Sequence, residues 1–275
     1  MLFSLKTQDR VLKLIELFKV IKSLNNFCTM YCTPSGMFIQ TMDDAHVSLL
    51  DINIDKRWFE QFKSVEENIS VNIKILSTVL SLYTPNAELL FESSDDYLTI
   101  VLKYEDRIEK SFEIPRIDLD CDIMKSQVIE HSLEFSINTK KMDRYICDMQ
   151  LFGDTMELIY INETIYMRSN GDDGKYCLKL TTDLVDDLIV EEDLRLMGRI
   201  PLRYPSSITK MFSVFEQIYI NISENEPFTF KMSETDDEDS ELMNIVYYIA
   251  PKIEDDTVFD FSEFEQLNDC ENEIV

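Results

Sequence analysis

The chain has 275 residues, 45% hydrophobic and 11% aromatic, with only 5 Gly and 7 Pro; this fills one large core or two ordinary ones and excludes a linker-dominated polymer. Asp and Glu number 53 against 26 Lys and Arg, a net charge of −27, so a generally basic nucleic-acid-binding surface is excluded and any such contact needs a local concentration of cations. No run reaches the ~20 apolar residues of a membrane span, and the first twenty residues carry scattered charges and no small-residue cleavage site, unlike a secretory signal.

In chain order, helical periodicity comes first: residues 8–24 place Val11, Leu14, Ile15, Phe18 and Ile21 on one face. Short alternating runs follow at 36–41 (GMFIQT) and 47–54 (VSLLDINI), the first opened by the turn signal Pro34-Ser35-Gly36. A second helix is expected near 72–82, then a strand at 97–103 (YLTIVLK). The order repeats after about residue 130, with a third helix near 140–150 and strands at 155–161 (TMELIYI) and 164–168 (TIYMR). A fourth helix, near 202–213, carries Pro205 in its first turn, where the missing N–H costs nothing. Strands at 216–222 and 244–250 complete the set. The order predicts an α+β fold of two similar domains, each with two helices packed on a largely antiparallel sheet.

The four helical windows hold ten basic residues, Arg10, Lys13, Lys19, Lys22, Lys74, Lys140, Lys141, Arg144, Arg203 and Lys210, and four acidic ones, Asp9, Glu16, Asp143 and Asp148. Cations therefore outnumber anions in the helices of a strongly acidic chain. Two readings account for this. Either these are ordinary solvated faces, with Asp9–Lys13 and Glu16–Lys19 as intrahelical pairs, or the helices line a common surface turned towards a polyanion.

Six cysteines, at 28, 32, 121, 147, 177 and 270, form no CxxC, so reduced thiols are expected in place of a zinc site. The run Glu234–Glu241 (ETDDEDSE) reads as a solvated loop in preference to a cation site. With two histidines, His46 and His131, and no nucleotide-binding or metalloprotease motif, no catalytic residues, metal, cofactor or small-molecule substrate is expected.

Several segments together resemble the proliferating-cell-nuclear-antigen family of DNA sliding clamps. Residues 247–255, YYIAPKIED, are similar to the family's YYLAPKIED ending. SGMFIQTMDDAHVSL at 35–49 resembles its SGxxLQxMDxSHVxL, and LRYPSSITK at 202–210 resembles its fourth helix. The resemblance implies the DNA clamp fold, with three subunits joined head to tail in a ring, helices lining the channel and sheets outside. It places a domain at 1–117, an interdomain connector at 118–131, a second domain at 132–256 and an acidic extension at 257–275. It also implies a polymerase processivity factor with duplex DNA, further copies of itself, a DNA polymerase, a clamp loader and other PIP-box proteins as partners. The expected location is the nucleus, or a cytoplasmic viral replication compartment.

Carried over residue by residue, Lys13, Lys19, Arg144, Arg203 and Lys210 fall on or beside basic channel positions, with Lys22, Lys74, Lys140 and Lys141 on the same helices. Thr78 and Ser81 stand where the family has paired lysines. The partner-peptide pocket maps to Met42, His46, Leu49, Met124, Pro227, Tyr248, Ala250 and Pro251, and the subunit contacts to Phe112, Ile114, Cys177 and Leu178 on strands that otherwise read as ordinary core. The connector departs from the family at Met124-Lys125-Ser126-Gln127. The extension, with Phe259, Phe261 and Phe264 among acidic residues, reads as a disordered tail, with partner binding or folding over the pocket as the alternatives. Two other functions stay open: a subunit of a heterotrimeric checkpoint clamp, and a clamp-shaped scaffold or transcription cofactor that does not encircle DNA.

Overall fold

A computed structural model describes residues 1–119, 123–124, 130–252 and 259–265. Its first half runs β1 (Leu2–Leu5), α1 (Gln8–Leu24), β2 (Phe27–Thr33), β3 (Gly36–Met42), β4 (Ser48–Asp55), β5 (Gln61–Lys63), β6 (Glu67–Asn72), α2 (Ile73–Leu80), β7 (Glu88–Ser93), β8 (Tyr97–Lys103) and β9 (Glu109–Pro115). The second runs β10 (Leu133–Asn138), α3 (Thr139–Gln150), β11 (Thr155–Ile161), β12 (Thr164–Gly171), β13 (Gly174–Thr181), β14 (Asp186–Val190), β15 (Leu196–Pro201), α4 (Arg203–Ile208), β16 (Gln217–Ile222), β17 (Phe228–Thr235) and β18 (Glu241–Ile249). Strand, helix, five strands, helix, three strands: the same order occurs twice.

Two compact units result. The first comprises Met1–Ser126, Lys210–Phe215 and Lys231–Tyr247; the second comprises Gln127–Thr209, Glu216–Phe230 and Tyr248–Val275. The first unit holds an antiparallel sheet in the order β5-β1-β7-β8-β9 and a second in which β18 pairs beside β4-β3-β2-β6. In the second unit, β14-β10-β16 lead on to the start of β17, and a separate sheet runs β13-β12-β11-β15.

Local sequence explains the helix starts. Asn72 accepts hydrogen bonds from the Lys74 and Ile75 amides, and Asn138 accepts one from Lys140. An N-cap of this kind typically contributes ~1 kcal/mol. In α1 the face read from the sequence is buried as a block, with Val11, Leu14, Phe18 and Ile21 all at 0% exposure. Opposite it, Phe3 stacks on Phe91 at 4.4 Å and lies 4.7 Å from Phe59. Gly36 opens β3 where a Cβ would stand 2.2 Å from the Ile54 carbonyl oxygen, so no larger residue fits beside β4.

Two expectations fail here. Glu234 does not belong to a solvated loop: it is largely buried and accepts from Lys13 Nζ at 2.9 Å and Trp58 Nε1 at 3.1 Å. Asp236 closes the turn that follows by accepting from the Glu238 and Ser240 amides. The extension is not disordered over 259–265 either, because Phe264 is 1% exposed on a cluster of Ile159, Ile161 and Tyr166. Residues 257–258 and 266–275 of the expected tail, 253–256 of the second domain, and 120–122 and 125–129 of the connector lie outside the described residues.

Candidate functional site

Within the first unit α1 packs on α2, and within the second α3 packs on α4. The basic residues assigned to a channel sit on these pairs, except Lys210, which lies on the 3-10 segment Thr209–Ser213 after α4 and belongs to the first unit. Lys22, Lys74, Lys140, Lys141, Arg144, Arg203 and Lys210 are exposed, and Lys19 is half-buried in a 2.6 Å pair with Glu16. The Arg203 guanidinium lies 4.7 Å from the Tyr204 ring centroid. Lys13 differs: its ammonium is held between Asp9 at 2.8 Å and Glu234 at 2.9 Å and packs over Phe215. Burial alone would lower its pKa, but the hydrogen bonds it donates to Asp9 and Glu234, with their negative charges, outweigh burial and raise it above the ordinary lysine value. Lys13 is therefore a neutralised cation, and its charge is not offered to solvent.

The strands expected to join subunits are both sheet edges. β9 ends the five-stranded sheet and β13 ends the four-stranded one, at seven and eight residues respectively. Among the described residues, each leaves a row of backbone N–H and C=O groups unpaired by a neighbouring strand. Phe112 and Leu178 are half-buried and Cys177 is exposed. Ile114 is a correction: at 1% exposure opposite Leu98 it belongs to its own unit's core.

Four of the eight peptide-pocket residues come together. Met42, His46, Leu49 and Met124 line a cleft of about 390 Å³ with Asn25, Phe27 and Leu119. Its rim is built by hydrogen bonds to side chains. Asp43 accepts from the Val47 amide at 2.9 Å and the Ser48 amide at 2.6 Å, fixing a turn in which His46 adopts φ 56°. Gln40 donates to the Met124 carbonyl at 2.8 Å and accepts from its amide at 2.7 Å, and its amide nitrogen also reaches Asp51 at 2.9 Å. In the second unit Pro227, Tyr248 and Ala250 are half-buried, and Pro251 lines a separate cleft with Arg199, Phe259 and Phe261.

The sequence profile described as proliferating cell nuclear antigen, N-terminal domain, matches residues 2–125. Relatives match over nearly the whole chain. The probable DNA polymerase sliding clamp 2 of Paramecium bursaria Chlorella virus 1 is 25% identical over 245 residues, covering 88% of each chain. The proliferating cell nuclear antigen 2 of Drosophila melanogaster is 24% identical over 256 residues, covering 90% of this chain and 98% of that protein. Over residues 2–125 the chain matches the model of the proliferating cell nuclear antigen family, and over nearly its whole length it is similar to proteins that carry that name or that of a sliding clamp. Among solved structures, the PCNA2–PCNA3 complex of Sulfolobus tokodaii superposes with a TM-score of 0.80 at 20% identity, over 92% of this chain and all of that one, which shows the shared clamp fold.

Seen beside this family, the chain holds two residues whose roles the sequence reading left unassigned. Gln40 and Asp43 were legible as part of the matching segment 35–49, yet their tasks, pinning Met124 and shaping the His46 turn, rest on contacts that no spacing rule encodes.

Proposed function

We propose that the chain is a DNA sliding clamp that closes as a homotrimeric ring around duplex DNA and holds a polymerase, and other proteins bearing PIP-type peptides, to it. The observation that carries the ring is the pair of long edge strands. β9 bears Glu109 and Glu113 against one cation, Lys110, and β13 bears Lys175 and Lys179 with no carboxylate, so head-to-tail pairing joins edges of unlike net charge and leaves neither exposed. A topological link needs only weak contact with the phosphate backbone. That suits helices with exposed cations but with Lys13 neutralised and Thr78 and Ser81 replacing lysines. The chain acts by enclosure and docking, without catalysis, in the nucleus or a viral replication compartment.

The test is the solution mass by light scattering over a dilution series at low and moderate salt. The expected mass is three times 32.4 kDa. A monomer or dimer at every concentration would overturn the autonomous homotrimer and favour a mixed ring or a scaffold.

The cleft around Met42 is the peptide site in this reading, with apolar walls for an aliphatic and an aromatic anchor. Gln40→Ala removes both hydrogen bonds to Met124, each net ~1 kcal/mol. The expected result is roughly tenfold weaker binding of a PIP-type peptide, measured by calorimetry, with a native circular-dichroism spectrum.

A further inference from the structure

β11 is apolar on both of its faces: Met156, Leu158 and Tyr160 alternate with Ile159 and Ile161, and all five are buried. A strand of this kind is covered on both sides. On one face, register aligns Tyr166, Ile159 and Met197 across three strands, and beside them Arg168, Glu157 and Arg199. Glu157, 8% exposed, accepts from Arg168 Nε at 2.5 Å and Arg199 Nε at 2.8 Å. The face thus pairs an apolar row with a preset cationic row.

Its cover is the chain's own segment 259–265. Phe264 packs 4.9 Å from the Tyr166 ring, and the Arg168 guanidinium lies 5.1 Å from Phe264 and 5.8 Å from Phe259. Glu263 pairs with Arg168 Nη1 at 3.1 Å, and Glu265 with Arg195 Nη1 at 2.9 Å. Only Phe264 is fully buried. Phe259 and Phe261 are partly covered and border an open cleft of about 370 Å³ that Met197, Arg199 and Lys252 also line. The hold is therefore slight: one buried ring, a single helical turn and two ion pairs whose carboxylates are exposed, set against the entropy of ordering the segment. Tethering to Lys252 raises its effective concentration and keeps it seated.

We propose that this face of the β11–β12–β15 sheet is a second docking site, for short acidic peptides carrying two or three aromatic residues, and that residues 259–265 are its own displaceable occupant. A partner peptide of that chemistry takes the place of Phe264, fills the cleft beside Phe259 and engages Arg168 and Arg199.

The test uses a fluorescent peptide, FDFSEFE, and the full chain with Phe259, Phe261 and Phe264 all changed to Ala. The peptide is expected to bind this variant about tenfold or more tighter than the wild type, whose tethered segment competes. Adding Arg168→Ala should weaken binding about tenfold, and a scrambled peptide should not bind. No binding to a variant with a native circular-dichroism spectrum, or equal binding of the scrambled peptide, would overturn the proposal. Hydrogen exchange of the wild type decides the matter even if the variant fails to fold. The Phe264 and Glu265 amides should exchange far faster than those of β12, and exchange only with global unfolding would make the segment permanent core. A lower solution mass for the variant than for the wild type would show the segment seated on a second copy, which overturns self-occupancy.

Discussion

Leu178→Asp is expected to convert the proposed trimer into a 32.4 kDa monomer. Leu178 is half-buried on β13, the edge of its sheet, between the exposed Cys177 and the half-buried Lys179. An Asp there is tolerated in the isolated subunit, where water reaches it. Pairing against another edge strand would bury the new carboxylate without a partner, a cost of several kcal/mol. The dissociation constant should rise by about a hundredfold or more, visible by light scattering at low micromolar protein, while the circular-dichroism spectrum stays native. Ile114→Ala is the informative contrast. That residue sits in its own unit's core, so the change should lower stability by about 2 kcal/mol or more before it affects the mass. A Leu178→Asp chain that keeps its full mass would place the subunit contact elsewhere.

The largest stability effect is expected at Trp58. It closes a 3-10 turn at 0% exposure and meets Phe59 edge to face at 5.2 Å. Arg10 donates to its carbonyl at 2.6 Å and lies over its ring, while its indole nitrogen donates to Glu234 at 3.1 Å. Trp58→Ala removes the ring and one donor to a largely buried carboxylate, a loss of ~3–5 kcal/mol. The melting temperature should fall by on the order of 10 °C. Trp58→Phe keeps most of the volume and should cost roughly half as much, and equal losses for the two would mean that packing contributes little. The Lys13–Glu234 contact adds a pH signature. The lysine pKa is raised in the folded chain, so its stabilisation is complete at neutral pH and is lost only as pH climbs through and above the ordinary lysine range.

Much of the fold was legible because it rests on local patterns. The block of Val11, Leu14, Phe18 and Ile21 marks α1 by spacing alone, and the matching segments at 35–49, 202–210 and 247–255 pointed to the family. The errors share one cause. Lys13 lies 221 residues from Glu234, and nothing near either residue signals the pairing, so a basic helix position read as available charge. The resemblance put Ile114 at a subunit contact by position, but the structure buries it in its own unit. The three phenylalanines of the extension stand among acidic residues, a composition that reads as disorder until the sheet face they cover is known. TMELIYI did carry the signal, since a strand apolar on both sides requires a second cover.

The sequence by itself determined the first three helices, several of the strands, the recurrence of helices and strands in two halves, the resemblance to a family and the concentration of cations in the helical windows, because periodicity and motif spacing act over a few positions. Only the tertiary structure decided which cations remain exposed, which strands end as open edges, what pins Met124 and what covers the Tyr166 face. Each of these depends on burial and on partners distant in the chain, and the free energy of a charge or an aromatic ring is set by what surrounds it.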